Sequence, residues 1–416
     1  MRSARSLLSL GCGLLLFSAS GAVAEGVDKQ EFRQIERGRY LSIVGDCAAC
    51  HTLPGSGHDL AGGRAIETPF GIILAPNITP DLSTGIGAWT DEEFINAMTK
   101  GTGRNGEHLY PAMPYTYYTK VTRDDVLAIR AYLNTIPAVQ NSVEPNQLPF
   151  PFDIRMAMWV WNQLNFTPGT FVSNPNKSAE WNRGAYLAEG LGHCGLCHTP
   201  KTILGGDKTG ERLQGSALQG WFAANITNEP RRGLGSWSVD DIANYLKTGH
   251  GGTSIATGLM AETVGQSTSR LTEADLKAIA VYLKDRDHET GEAVDVAAPD
   301  QSAMKIGAQI YADECSGCHG SDGKGTPGLF PPLAASALVQ QNDPTSLLHV
   351  VLRGARSVAT DGSPTAPAMP QFGWLLKDGE VAAVLTYVRN RWGNRAPAVS
   401  ADEAGRARST FVERTD

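Results

Sequence analysis

Six cysteines fall into three pairs of one spacing, Cys47/Cys50, Cys194/Cys197 and Cys315/Cys318. A histidine follows each pair at once: His51, His198 and His319. Two thiols so spaced can reach the two vinyl groups on one edge of a porphyrin, and the adjacent imidazole can then reach its iron. Cys-x-x-Cys-His is therefore the attachment pattern of haem c. Zinc is poorly served, because Cys/Cys/His gives three of its usual four ligands. A redox dithiol has no need of the histidine. Three disulfides, the common use of six cysteines in an exported chain, leave all three histidines unexplained. The pattern predicts three covalently bound haem c groups, each anchored by two cysteines, with His51, His198 and His319 on iron.

An electron-transferring haem usually takes a sixth ligand, and methionine is the common one because it raises the potential. Met113 and Met260 lie equally far beyond Cys47 and Cys194, and Met369 lies at a somewhat shorter interval beyond Cys315. Met113 and Met369 stand in Pro-Ala-Met-Pro, where proline stiffens the loop that carries the sulfur; Met260 lacks the prolines. Packing in the core is the alternative for any methionine. His250 and His108 are the rival sixth ligands, and His193 is expected to face solvent or a propionate.

The elements that would hold these groups repeat along the chain. Arg37-Gly38-Arg39-Tyr40-Leu41 precedes the first motif and Arg183-Gly184-Ala185-Tyr186-Leu187 the second. Gly307, Ala308 and Tyr311 hold the same places before the third. Asn77-Ile78-Thr79 and Gly85-Ile86-Gly87-Ala88-Trp89-Thr90 reappear as Asn225-Ile226-Thr227 and Gly233-Leu234-Gly235-Ser236-Trp237-Ser238. Thr90 and Ser238 are good N-caps for acidic helices over 91–100 and 240–247. Apolar residues at helical spacing predict closing helices over 122–133, 272–283 and 378–391, with Tyr132, Tyr282 and Tyr387 in matching places. The fold expected is mainly α: three tandem class I-like cytochrome c domains, each a small helical bundle around one covalent haem.

The divisions follow from the repeat. They are a signal peptide over 1–24, domains over 25–138, 181–290 and 301–396, linkers over 139–180 and 291–300, and a polar tail over 397–416. The first linker holds Phe150, Phe152, Trp159, Trp161, Phe166 and Phe171 without a haem motif. It reads as a segment packed between the first two domains, or as a docking surface for a partner or a membrane. Ile154, Met158 and Trp161 could share one face of a short helix there. The tail reads as loose, with room for a short helix. Gly323-Lys324-Gly325-Thr326-Pro327-Gly328 matches a dinucleotide-binding pattern. It follows a haem motif and no strand, so it reads as a loop passing close to the third haem.

Composition sets outer bounds. The chain has 416 residues, 41% hydrophobic and 19% charged, which is globular. Its formal charge of −7 excludes a nucleic-acid partner, which would need clustered lysine and arginine. Arg2 and Arg5, an apolar run and Ala22-Val23-Ala24 read as an export signal cleaved after Ala24. Cys12 lies inside that run, in a poor context for lipidation.

The chain resembles the cytochrome c subunits, with three haems, of bacterial membrane-bound dehydrogenases. The carrying residues are Gly45-Asp46-Cys47-Ala48-Ala49-Cys50-His51-Thr52, Thr68-Pro69-Phe70-Gly71, Asn77-Ile78-Thr79-Pro80-Asp81, Tyr110-Pro111-Ala112-Met113-Pro114-Tyr115 and Phe330-Pro331-Pro332-Leu333. The resemblance implies a non-catalytic electron-transfer subunit. Its partner would be a dehydrogenase large subunit of PQQ, flavin or molybdenum type, oxidising an alcohol, gluconate or another sugar, or an aldehyde. Electrons would pass through the haems to ubiquinone, in a periplasmic chain attached peripherally to the outer face of the cytoplasmic membrane. Some members attach by an amphipathic C-terminal stretch; the tail here is short and polar. Two other functions fit multiple haems: a multihaem peroxidase or reductase, which needs one open iron position, and a free-standing carrier to a terminal oxidase.

Overall fold

A computed structural model describes residues 29–286 and 296–411. The expected signal, Cys12 and the cleavage site lie outside the described residues, as do residues 287–295, which include the start of the second linker.

Helices start where the sequence supplies caps. Thr90 accepts from the Glu93 amide while the Glu93 carboxylate accepts from the Thr90 amide, and Ser238 and Asp241 make the same reciprocal pair. The helices they open, Asp91–Lys100 and Val239–Thr248, both end on a left-handed glycine, Gly101 and Gly249. Thr122 and Thr272 cap Arg123–Leu133 and Glu273–Lys284 one way, each accepting from the amide of the aspartate three residues on, Asp125 and Asp275.

Three helix crossings organise the described chain. A leading helix before each haem motif (Lys29–Val44, Ala179–Glu189, Gln301–Ile310) packs on a closing helix after it (Arg123–Leu133, Glu273–Lys284, Asp378–Arg389). Each crossing is made at a glycine. A Cβ on Gly38, Gly184 or Gly307 would collide with the carbonyl of Ala128, Ala278 or Ala383, so the backbones touch and no side chain fits. Strand content among the described residues is four two-stranded antiparallel hairpins, such as Ala65–Thr68 with Gly71–Leu74.

The first two segments share one core. Leu41, Val126 and Ile129 of the first are buried in the same cluster as Leu187, Leu276 and Tyr282 of the second. A crossed set of polar contacts joins them. Tyr40 donates to Asp275 Oδ2 at 2.6 Å, and Tyr186 donates to Asp125 Oδ2 at 2.5 Å. Asp275 also takes Arg183 in two bonds of 2.8 Å, and Asp125 takes Arg37. Equivalent residues thus exchange partners across a local pseudo-two-fold relation. The third segment has its own core around Tyr311, Leu348, Val381 and Val384. It docks on the second through Trp221 stacked on His349 at 4.0 Å, and through Ser346, which bonds both the amide and the carbonyl of Phe222.

Both doubtful segments take definite positions. The first linker runs across both the first and second segments. Asn162 accepts from Tyr115, the Phe166 ring meets Tyr115 edge-on, Phe171 packs on Tyr186, and Trp161 donates to the Leu204 carbonyl. Its helix is Ala157–Asn165, so Ile154 lies before it and is exposed, while Met158 and Trp161 are half-buried. Trp159, Val160 and Leu164 face outward. The described part of the tail, up to Phe411, holds the short helix, Ala401–Thr410, and is packed rather than loose. Ala404 and Ala407 are buried against the third segment. Arg408 pairs with Asp378 and donates to the Leu376 carbonyl. Its arginine binds the protein itself, which a count of tail charges could not show.

Candidate haem sites

Each cysteine pair sits on a single helical turn that ends in its histidine: Cys47–His51, then Gly195–His198 with Cys194 just before it, then Ser316–His319 with Cys315 just before it. Residues three apart on such a turn share a face. Both thiols of a pair therefore present to one side, with the imidazole following.

The three imidazoles are held alike. Nδ1 of His51 bonds the Pro76 carbonyl at 2.7 Å, Nδ1 of His198 the Ala224 carbonyl at 2.6 Å, and Nδ1 of His319 the Pro331 carbonyl at 3.0 Å. A carbonyl can only accept, so Nδ1 carries the proton and Nε2 is left with the lone pair that a metal needs. Burial lowers the pKa of all three, which favours the neutral, ligating form. The carbonyl of each histidine is also fixed, by the amides of Gly62, Gly215 and Gly325 at 2.7–2.8 Å. Gly325 belongs to the decoy glycine pattern, whose loop thus serves the third haem motif.

Four of the six thiols fit no thiolate role. Burial pushes Cys47 and Cys194 up to about 12, and Cys50 and Cys315 up to about 11. A nucleophile or a bare-metal ligand needs the opposite shift; a thioether carries no charge and suits an apolar site.

Cys315, Cys318, His319 and Met369 line one crevice, walled mostly by apolar residues such as Phe330, Leu347 and Val351. Two hydroxyls on its wall, Thr253 and Ser357, are buried without a hydrogen-bond partner. A large apolar disc with acceptor groups at one edge fits these walls, as haem and its propionates would. Met113 and Met260 pack half-buried on the shared core with Cys47 and Cys194. Met260 lies on the helix Gly258–Gln266. Nε2 of His250 and Nδ1 of His108 are buried and unpartnered. His193 is half-buried, and its ring meets Tyr118 edge-on at 5.7 Å, where the second attachment turn packs on the first segment.

Sequence reasoning missed the carbonyl partners of the histidines. The signal was present, since Pro76 and Ala224 immediately precede the repeated Asn-Ile-Thr triplets. In those triplets Asn77 and Asn225 turn the backbone by accepting from Thr79 and Thr227. It also missed Asp46, a left-handed residue whose buried carboxyl is raised to about 7 by desolvation and then by Glu262.

Three Cys-x-x-Cys-His turns with metal-ready histidines in a mostly helical frame define a c-type cytochrome, a protein that binds haem c covalently and transports electrons. A cytochrome c family profile matches residues 35–137 and 304–392. The chain is 37% identical to the gluconate 2-dehydrogenase cytochrome c subunit of Pantoea cypripedii, over 95% of this chain and 92% of the relative. It is 37% identical to the fructose dehydrogenase cytochrome subunit of Gluconobacter japonicus (90% and 82%). It is 36% identical to the cytochrome c subunit of the quinone alcohol dehydrogenase of Gluconobacter oxydans (97% and 87%). The chain belongs to this family of dehydrogenase cytochrome c subunits.

Proposed function

We propose that this chain carries three haem c groups in three tandem cytochrome c domains, spanning 25–138, 181–290 and 301–396. It is the electron-transfer subunit of a periplasmic dehydrogenase complex. It receives electrons from a large subunit that oxidises an alcohol, gluconate or other sugar, or an aldehyde, and delivers them to ubiquinone at the outer face of the cytoplasmic membrane. Cys47, Cys50, Cys194, Cys197, Cys315 and Cys318 are the anchors. His51 with Met113, His198 with Met260, and His319 with Met369 are the iron ligands. The observation that carries this reading is the threefold histidine arrangement, Nδ1 to a backbone carbonyl each time.

Bound haem supplies one-electron exchange. The chain's own residues do the rest. The carbonyls of Pro76, Ala224 and Pro331 hold the imidazole tautomer and orientation. Apolar walls exclude water. The shared core and the Trp221–His349 stack keep the three sites in fixed relation, as successive electron hops require. No helix among the described residues is long and apolar enough to cross a membrane, which is compatible with peripheral attachment.

The test has two parts. Intact mass of the exported chain should equal the polypeptide from residue 25 plus three haems; a mass with two or fewer overturns the architecture. Purified alone, the chain should not reduce a ubiquinone analogue with ethanol, gluconate or an aldehyde. With its co-expressed large subunit it should, and His198→Ala or His319→Ala should abolish this. Substrate-dependent reduction by the isolated chain would promote an enzymatic reading.

A further inference from the structure

The three haem motifs are far apart in sequence, yet one short stretch of the second segment touches the surroundings of all three. Thr253, Ser254, Ile255 and Thr257 form part of the wall of the third crevice, which Cys315 and Cys318 also line. Thr257 also pairs backbone-to-backbone with Ser357, on the third segment. Thr257 stands at the N-cap position of the helix Gly258–Gln266, which carries Met260. Two residues past Met260, Glu262 accepts from both terminal nitrogens of the Arg64 guanidinium, with Nη2 to Oε2 at 2.9 Å. Arg64 belongs to the first segment, and its Nη1 also donates to the Ala49 carbonyl, inside the first Cys-Ala-Ala-Cys-His turn.

The pair is four-fifths buried on both sides. A bidentate arginine–carboxylate pair out of solvent fixes orientation as well as distance. Through it the first attachment turn, by way of Arg64, is joined to the helix that carries Met260.

We infer that Arg64 and Glu262 are positioning residues for the second haem: they clasp the Met260 helix to the first attachment turn, so that residues 253–262 form one strap linking all three haem sites. The inference rests on the reading of Met260 as a sixth ligand. A helix of nine residues that begins at a glycine and carries its methionine in the first turn has little of its own to hold that sulfur in place. The strap is held at its middle by the Thr257–Ser357 pairing and at its far end by the clasp. Met113 and Met369, by contrast, are stiffened by flanking prolines. The clasp supplies from the neighbouring segment the rigidity that proline supplies locally at the other two sites.

The test uses the full-length exported holoprotein with four changes: Met260→Ala, Glu262→Gln, Arg64→Gln and Arg64→Lys. Oxidised samples are compared for the far-red methionine-to-iron band and for the midpoint potential of each haem, with haem content and helicity as controls. Met260→Ala should remove about one third of the band, the share of one haem in three. Glu262→Gln and Arg64→Gln should each lose a large part of that same third and lower one midpoint potential, with three haems still attached. Arg64→Lys, which keeps the charge but not the fork, should restore part of the band. If Met260→Ala removes its third while both Gln variants leave band and potentials unchanged and lower only the melting temperature, the clasp is merely an interface contact and the inference fails. If Met260→Ala leaves the band whole, the ligand assignment itself falls, and the inference with it. Glu262→Gln is nearly isosteric, so it reads the effect even where Arg64→Gln fails to fold.

Discussion

The crossed tyrosine–aspartate contacts predict an inequality that the repeat itself would not. Tyr40→Phe and Tyr186→Phe are the same change at equivalent positions, and each removes one hydroxyl donor from a buried aspartate. A hydrogen bond to a charged group contributes about 1.5–3 kcal/mol, and a buried acceptor left short adds its desolvation cost. The two aspartates differ in what remains. Asp275, with its side chain 12% exposed, keeps two bonds from Arg183. Asp125, with its side chain 2% exposed, keeps one from Arg37, whose own side chain is 58% exposed and so contributes little. Tyr40→Phe should therefore cost about 1.5 kcal/mol and Tyr186→Phe about 2.5–3 kcal/mol. The assay is urea unfolding of the holoprotein followed by far-ultraviolet circular dichroism, read as a midpoint shift at constant slope. Because the first two segments share a core, both variants should lower the same transition. Equal costs, or a larger cost for Tyr40→Phe, would refute the argument from residual partners. Separate transitions for the first two segments would refute the shared core.

Three further outcomes are expected. Gly184→Ala puts a methyl against the Ala278 carbonyl at a helix crossing; overpacking of this kind costs about 1–3 kcal/mol or more, and thermal melting should show it, whereas Gly169→Ala, which meets nothing within reach, should be silent. Asp46, raised from 3.8 to about 7, binds its proton more tightly folded than unfolded. Its contribution is thus fully present below the ordinary carboxyl range and is lost as pH rises towards about 7, by at most ~4 kcal/mol. Asp46→Asn should flatten the stability profile over that span, and an unchanged slope would show that Asp46 is ionised in the native protein. Truncation after Pro397 removes the buried Val399, Ala404 and Ala407 and the Arg408–Asp378 pair; it should lower the unfolding temperature of the third segment and leave the first two unmoved.

Much of the molecule was legible in the chain because it is encoded locally. Haem attachment needs only Cys-x-x-Cys-His on one turn. The capping pairs Thr90/Glu93 and Ser238/Asp241 are three residues apart, and the closing helices announce themselves by apolar spacing. Helix boundaries accordingly fell within a residue or two of expectation, as at Asp91–Lys100 and Asp378–Arg389. The first linker was recognisable as aromatic and unusual, but not by which face it would pack. Periodicity grouped Ile154 with Met158 and Trp161, whereas the helix starts only at Ala157.

What the sequence determined by itself is which side chains stand in the pattern that anchors a porphyrin and binds its iron, and how often that pattern recurs. Those properties depend on residue type and short spacing. Tertiary structure alone decided how the sites are joined. Tyr40 meets Asp275, Arg64 meets Glu262, and Trp221 stacks on His349 across separations that no periodicity encodes. Two similar segments were free to pack in many ways. The way chosen is the one in which each buried aspartate finds an arginine from its own segment and a tyrosine from the other, since a buried charge short of partners is too costly to keep.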